Sequence, residues 1–261
     1  MNKQKRFNQI VKHIKQVKIQ GARNIAKAAL YAYSLLKTKE AKSKLIKARQ
    51  TEPMLTNAIK HYEKEGWKKT LSHFDESQDK INERVFKLIK NNSIIFSHCH
   101  STNVINSLIY AKKKGKHFQV YNTETRPLFQ GRKTAKELSK AGIQVTNFID
   151  SAARIAIKQA DIVFLGSDAI LPSGIINKIG SGMIAEIAFD SKIPVYILAD
   201  SWKFTKHLKL EERDFHEVWK NAPKHIKVKN PAFEFVPEKY IRAVISELGI
   251  LSLKEFVRKV R

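Results

Sequence analysis

The chain has 261 residues and 43% of them are apolar, enough for a proper core in one large domain or in a small and a medium one. No apolar run approaches the roughly 18 residues of a membrane span, the N-terminal MNKQKRFNQIVKHIKQVKIQG has no apolar h-region, and a single cysteine excludes an internal disulfide. Lys and Arg total 49 against 24 Asp and Glu, a net charge of +25, which attracts polyanions, nucleic acid first among them. The lysines are dispersed, however, as Lys12, Lys15 and Lys18, then Lys112 to Lys114, then Lys224, Lys227 and Lys229. A solvated basic surface is therefore the favoured reading and RNA the less favoured partner. A lone thiol suits a reducing compartment, so the expectation is a soluble, cytoplasmic protein with no membrane partner.

In chain order, residues 1–90 read as a helical N-terminal domain. Ile10, Val11, Ile14, Val17 and Ile19 recur at near-helical spacing, followed by Ile25, Ala28, Ala29, Ala32 and Leu35. Met54, Leu55, Ala58, Ile59 and Tyr62 form a further stripe behind Pro53, a residue suited to a helix start. Ile81, Val85, Phe86 and Leu88 form the last. From about residue 93 the texture changes to short apolar runs alternating with amphipathic stretches. SIIFSH precedes a helix over 102–114, FQVYNT a helix over 131–141, and IQVTNFI a helix over 151–159. DIVFLGSD is followed by a loop, AILPSG, and a helix over 181–191, and PVYILAD comes last. Strands separated by helices of this length predict βαβ units and a parallel sheet covered on both faces. The fold class is thus α/β, with a Rossmann-like parallel-sheet domain over 91–261.

In an open parallel sheet, ligands bind outside the carboxyl ends of the strands. The residues there are polar: Cys99 in SHCHSTN, then TETRPLFQG, Ser151, Ser167 with Asp168, and Asp200 to Lys203. A free cysteine is most often a small buried hydrophobe. Cys99, flanked by His98 and His100, instead precedes a helix starting near Ser101 or Thr102, where the dipole and free N–H groups favour a thiolate or a phosphate. Asp168 could by position be only a turn residue. INKIGSG after it supplies an amide, a cation and two glycines, the groups that hold a phosphate. GxxxxGK[ST], GxGxxG, HExxH and GxSxG are all absent, so the expectation includes no metal and no redox cofactor.

Taken together, IQGARNIA (19–26), ARQTEPMLTNAI (48–59), SHCHST (97–102), TETRPLFQGRKTAKEL (123–138), IDSAA (149–153), GSDAILPSGIINKIGSG (166–182), ADSWKF (199–204) and KNPAFEFVPEKYI (229–241) resemble the family that unites translation initiation factor 2B regulatory subunits with aldose-1-phosphate isomerases. The resemblance covers nearly the whole chain. It implies a helical N-terminal domain followed by a Rossmann-like domain. Cys99 and Asp168 match the isomerase branches, and TETRPLFQG, IDSAAR and NPAF look like the archaeal ribose-1,5-bisphosphate isomerase branch. The chain departs from the family pattern at Gln20 (commonly Arg), His100 (Asn), Glu234 (Asp) and Val236 (Thr).

The resemblance implies conversion of ribose 1,5-bisphosphate to ribulose 1,5-bisphosphate in nucleotide breakdown, with Cys99 as base and Asp168 as acid. It assigns substrate binding to Gln20, Gly21, Ala22, Arg23, Arg49, Ser101, Thr102, Asn103, Asn177, Lys178 and Lys203, and to Arg126, which with Arg49 has a domain-interface ion pair as its alternative. It also implies a homo-oligomer, a dimer or a trimer of dimers. The competing reading is a non-catalytic initiation-factor-like subunit that binds protein partners, nucleotide or RNA. Both readings share one fold, so function has to be argued from the site.

Overall fold

The computed structural model describes every residue except Met1, Val17, Gln20, Lys209 and Glu211, so the expectations placed on Val17 and Gln20 lie outside the described residues. Local capping chemistry opens two of the N-terminal helices. Asn2 accepts the Gln4 N–H to open α1 (Lys3–Lys15), α2 spans Ala22–Leu36, and Thr38 accepts the Ala41 N–H to open α3 (Lys39–Ala48). Pro53 starts α4 (Pro53–Leu88), which is broken at Gly66 by φ 80°, ψ 175°, a conformation that essentially only glycine adopts. The start of α4 and its last turns serve different cores, while Phe74, beyond the break, still packs in the first. Leu55 and Ile59 pack with Phe7, Ile14, Ile25, Leu30 and Leu45. Beyond the break, Ile81 and Val85 pack instead on the sheet, against Val104, Ile105 and Leu108.

The alternating half of the chain builds β1 (Ser93–Ser97), α5 (Thr102–Lys113), β2 (Phe118–Thr123), α6 (Gln130–Lys140), β3 (Gln144–Phe148), α7 (Ala153–Ile157) and β4 (Ile162–Leu165). Then come β5 (Ala169–Leu171), β6 (Gly174–Lys178), α8 (Ser181–Asp190), β7 (Val195–Leu198), β8 (Phe233–Pro237), β9 (Ala243–Ser246), β10 (Gly249–Leu251) and α9 (Leu253–Val260). Among the described residues the main sheet has the order β10-β9-β7-β4-β1-β2-β3, parallel except for the antiparallel β10 edge. Its apolar strands are covered by α5, α6 and the second half of α4 on one face and by α7, α8 and α9 on the other. The order reverses between β1 and β4, which is the switch point where doubly wound sheets open a crevice. Ser97 pairs with Phe164 there, so Cys99 and Asp168 emerge from the same end of neighbouring strands.

Two expectations about elements are corrected. The stretch over 169–174, read as a loop, is instead the start of a hairpin in which Leu171 pairs with Gly174 across Pro172–Ser173. With β8 it forms a second, antiparallel sheet, β5-β6-β8. Pro-Ser-Gly has the composition of a loop, but here it is only the tip of two buried strands. Gly174 permits the approach: a Cβ on it would lie 2.3 Å from the Val236 carbonyl. The helix over 151–159 is also shorter, a 3₁₀ turn at Asp150–Ala152 followed by the five-residue α7. Asp150 is committed elsewhere, accepting the N–H groups of Thr125 and Arg126 at 2.8 and 2.7 Å. No helix among the described residues is long and apolar enough to cross a membrane.

Candidate active site

At the end of β1, Cys99 has φ 66°, a conformation that costs a non-glycine residue about 1–2 kcal/mol. Its neighbours fix it there. The Cys99 N–H donates to Thr125 Oγ1 at 3.0 Å, and Thr134 Oγ1 donates to the Cys99 carbonyl at 2.7 Å. Next to it, buried His98 donates from Nε2 to the Ile179 carbonyl at 2.9 Å, which leaves Nδ1 to accept from the Thr123 hydroxyl. Burial lowers its pKa, so it stands as a neutral brace between β1, β2 and the segment leading into α8.

Two helices begin at the cavity wall with their N–H groups uncapped by side chains and no acidic residue in the first turn. One is α5 behind Ser101, the other α2 behind Gly21, whose φ is 85°. Such ends favour anions. Gly166 allows β4 to approach the first of them, since a Cβ on it would lie 2.6 Å from Ser101 Cβ and Oγ. Beyond Gly166, the Asp168 N–H donates to the Ile176 carbonyl at 2.9 Å.

These elements enclose a cavity of about 190 Å³ shared by the helical and sheet parts of the chain. Its charges are strongly perturbed. Burial pushes the Asp168 carboxyl up, against the opposing pull of Lys203, Arg49 and Lys178. Burial, then the Asp168 charge, pushes the Cys99 thiol up to about 12, with Lys178 opposing. The dipole of α5 does not overcome this, so the thiolate expected from position alone gives way to a thiol in the resting site. Burial lowers the Lys178 pKa, while Cys99 and Asp168 each raise it. One ammonium thus faces both acids. Lys203 is 8% exposed, and its Nζ donates to the Ser167 carbonyl.

Of the residues named from the sequence, Gly21, Ala22, Arg23, Arg49, Cys99, Ser101, Thr102, Asn103, Asp168, Asn177, Lys178 and Lys203 all line this cavity. Arg23 is also paired with Asp75 outside it. Arg126 is not in the wall: its Nη2 donates to the Val218 carbonyl at 3.1 Å and its guanidinium stacks 5.0 Å from the Phe129 ring. Asn177 and Lys178 lie on β6, and Asn177 Nδ2 donates to Ser181 Oγ at 2.8 Å.

A model of the Initiation factor 2 subunit family matches residues 14–253. The chain belongs to this family. It is 37% identical to a ribose 1,5-bisphosphate isomerase of Methanocaldococcus jannaschii, over 91% of this chain and 89% of that protein. It is 33% identical to a ribose 1,5-bisphosphate isomerase of Thermococcus kodakarensis, over 93% and 90%. Among solved structures, a translation initiation factor eIF-2B of Pyrococcus horikoshii superimposes with a TM-score of 0.86 at 26% identity, covering 98% of this chain and 99% of that one.

The structure accounts for three departures from the pattern of the Initiation factor 2 subunit family. His100 Nε2 lies 3.2 Å from Glu137 Oε1 of α6. Glu234 accepts the Gly182 N–H at 2.8 Å, a carboxylate at the start of α8. Val236 is fully buried and pairs with Ile175. Sequence reasoning missed Gln78, Gln130, Lys133 and Arg213, which also line the cavity. Gln130 carried a signal, the TRPLFQG segment at a strand end. Gln78 carried none, being one polar residue in a long amphipathic helix.

Proposed function

We propose that this chain is a cytoplasmic aldose–ketose isomerase that converts ribose 1,5-bisphosphate into ribulose 1,5-bisphosphate, with Cys99 and Asp168 as its proton-transfer pair. The observation that carries this reading is the meeting of Cys99, Asp168 and Lys178 in one cavity at the β1–β4 switch point. The names of the archaeal relatives support the choice of substrate.

In ribose 1,5-bisphosphate the anomeric carbon carries a phosphate, so the ring cannot open to a free aldehyde. The C2 proton must leave while the ring oxygen departs and is protonated, and a proton must then reach C1. Cys99 takes the C2 proton and returns it to C1; Asp168 protonates the ring oxygen, and its carboxylate then takes the 2-hydroxyl proton as the C2 ketone forms. An acid for this step must hold its proton near neutrality, the direction in which burial moves Asp168. The base must be a thiolate, and the Lys178 ammonium favours that form. The phosphates go to the starts of α2 and α5 and to Arg23, Arg49, Lys178 and Lys203. Arg126 keeps its role outside the cavity wall.

A homo-oligomer, a dimer or trimer of dimers, belongs to the same reading. It is supported by exposed apolar side chains of the sheet domain, among them Met183 and Phe189 of α8 and Phe235 of β8. The competing reading, a regulatory subunit that binds protein partners, nucleotide or RNA, draws on the net charge of +25. Incubating purified protein with ribose 1,5-bisphosphate in D₂O and following the sugar by NMR decides between them. Appearance of ribulose 1,5-bisphosphate is expected; its absence would sink the isomerase reading.

A further inference from the structure

Asp200 follows β7 and lines the cavity, and both of its carboxylate oxygens have partners within the protein. Oδ1 accepts the Trp202 N–H at 2.8 Å, and His73 Nε2 of α4 lies 3.1 Å from both oxygens. The Asp200 carbonyl accepts the Lys203 N–H at 3.0 Å, closing the 3₁₀ turn Ser201–Lys203. The same turn is held from its other side by α4. Asn57 Nδ2 donates to the carbonyls of Trp202 and Phe204 at 2.8 and 2.9 Å. The Trp202 ring is stacked between His61, 4.4 Å away at 14°, and His73, 3.8 Å away at 5°. Glu247 Oε2 accepts the Ser201 N–H at 3.1 Å and the Ser77 hydroxyl at 3.2 Å.

Every residue of this turn is therefore secured, and its last residue is Lys203. From there the ammonium reaches the Ser167 carbonyl, next to Asp168. Lysine is a flexible side chain, so where its charge sits depends on how firmly its backbone is held. We propose that Asp200 and the α4 face bearing Asn57, His61 and His73 form a positioning device that holds the Ser201–Lys203 turn and fixes Lys203 beside Asp168. The helical part of the chain thereby acts on the acid itself as well as covering the cavity. The consequence for turnover rests on the isomerase reading; the placement of the lysine does not.

The test follows the titration of the Asp168 carboxyl by ¹³C NMR in aspartate-labelled protein, with the signal assigned from Asp168→Asn. Of the cations opposing the rise of the Asp168 pKa, Lys203 is the strongest, so Lys203→Ala should move the titration upward. Asn57→Ala changes no charge and should move it upward too, by at least half as much. Asp200→Asn keeps an acceptor for the Trp202 N–H. Loss of its negative charge alone would move Asp168 downward, whereas release of Lys203 moves it upward, and upward is expected. On a Lys203→Ala background, Asn57→Ala should add nothing. An Asp168 titration unmoved by Asn57→Ala, or moved downward by Asp200→Asn, overturns the inference. In the isomerase assay the losses in kcat/KM for Asn57→Ala and Lys203→Ala should likewise fail to multiply. A wild type without turnover would count against the functional reading alone, since the titration stands without it.

Discussion

Cys99 owes its direction to its backbone: with φ 66° and both peptide groups held by threonines, its side chain is set by the end of β1. Under the proposed mechanism, Cys99→Ser should lower turnover by at least about 100-fold while substrate affinity stays within a few-fold, because a hydroxyl is a far weaker base at the same place. Steady-state kinetics beside calorimetry checks this, and near-normal turnover would move the base elsewhere. The pH dependence follows from two raised pKa values. The working form holds a proton on Asp168 and none on Cys99. Below the Asp168 pKa, raising the pH only creates thiolate, so the rate climbs. Between the two pKa values the gain in thiolate and the loss of protonated Asp168 cancel. Above about 12, where Cys99 is already ionised, the rate falls. A plateau of kcat/KM running far into the alkaline range is expected, and a sharp maximum near neutrality would contradict it. Lys178, facing both acids, should matter to binding as well: Lys178→Ala is expected to weaken bisphosphate affinity by about 1.5–3 kcal/mol, the range for a hydrogen bond to a charged group, measured by calorimetry.

At the scale of elements, the cavity depends on helices that start close against strand ends. Gly131 in α6 shows how close: a Cβ there would stand 1.7 Å from the Thr123 carbonyl, at the end of β2. Gly131→Ala should therefore destabilise the fold by about 1–3 kcal/mol, the usual cost of overpacking, and shift the denaturant midpoint downward. An unchanged midpoint would mean that α6 moves away freely. This contact was illegible in the sequence, where Gly131 reads only as a weak point in a helix. The alternating strands and helices were legible, because a strand covered on both faces must be a short apolar run. The β5–β6 hairpin was not, because its strands are too short to show a period.

Across the whole molecule the dominant feature is charge. If the +25 surface serves to draw a bisphosphate into the cleft, added salt should lower kcat/KM and leave kcat nearly unchanged, since steering acts on encounter. RNA binding near 0.15 M salt would then be weak, roughly 10⁻⁴–10⁻⁶ M, as for non-specific nucleic-acid contacts. Tight RNA binding that collapses steeply with salt, found together with no isomerase activity, would favour the regulatory-subunit reading instead.

Local order and chain order carried the architecture: hydrophobic periodicity and punctuation are properties of neighbouring residues, so the helical N-terminal part, the succession of βαβ units and the polar residues at the strand ends could be read directly. Pairing across the chain could not. That β1 lies beside β4, bringing Cys99 against Asp168, follows from strand order in the folded sheet. Burial, which only the folded state creates, turned the expected thiolate into a thiol and raised the Asp168 carboxyl. It was likewise the packing of α4 on the end of β7 that joined His73 to Asp200, residues 127 positions apart, and the path of the chain after β2 that turned Arg126 toward Val218. A free energy that depends on solvent exclusion and on contacts between distant residues has no local signature, and for that reason the chemistry of this site was decided by the tertiary structure.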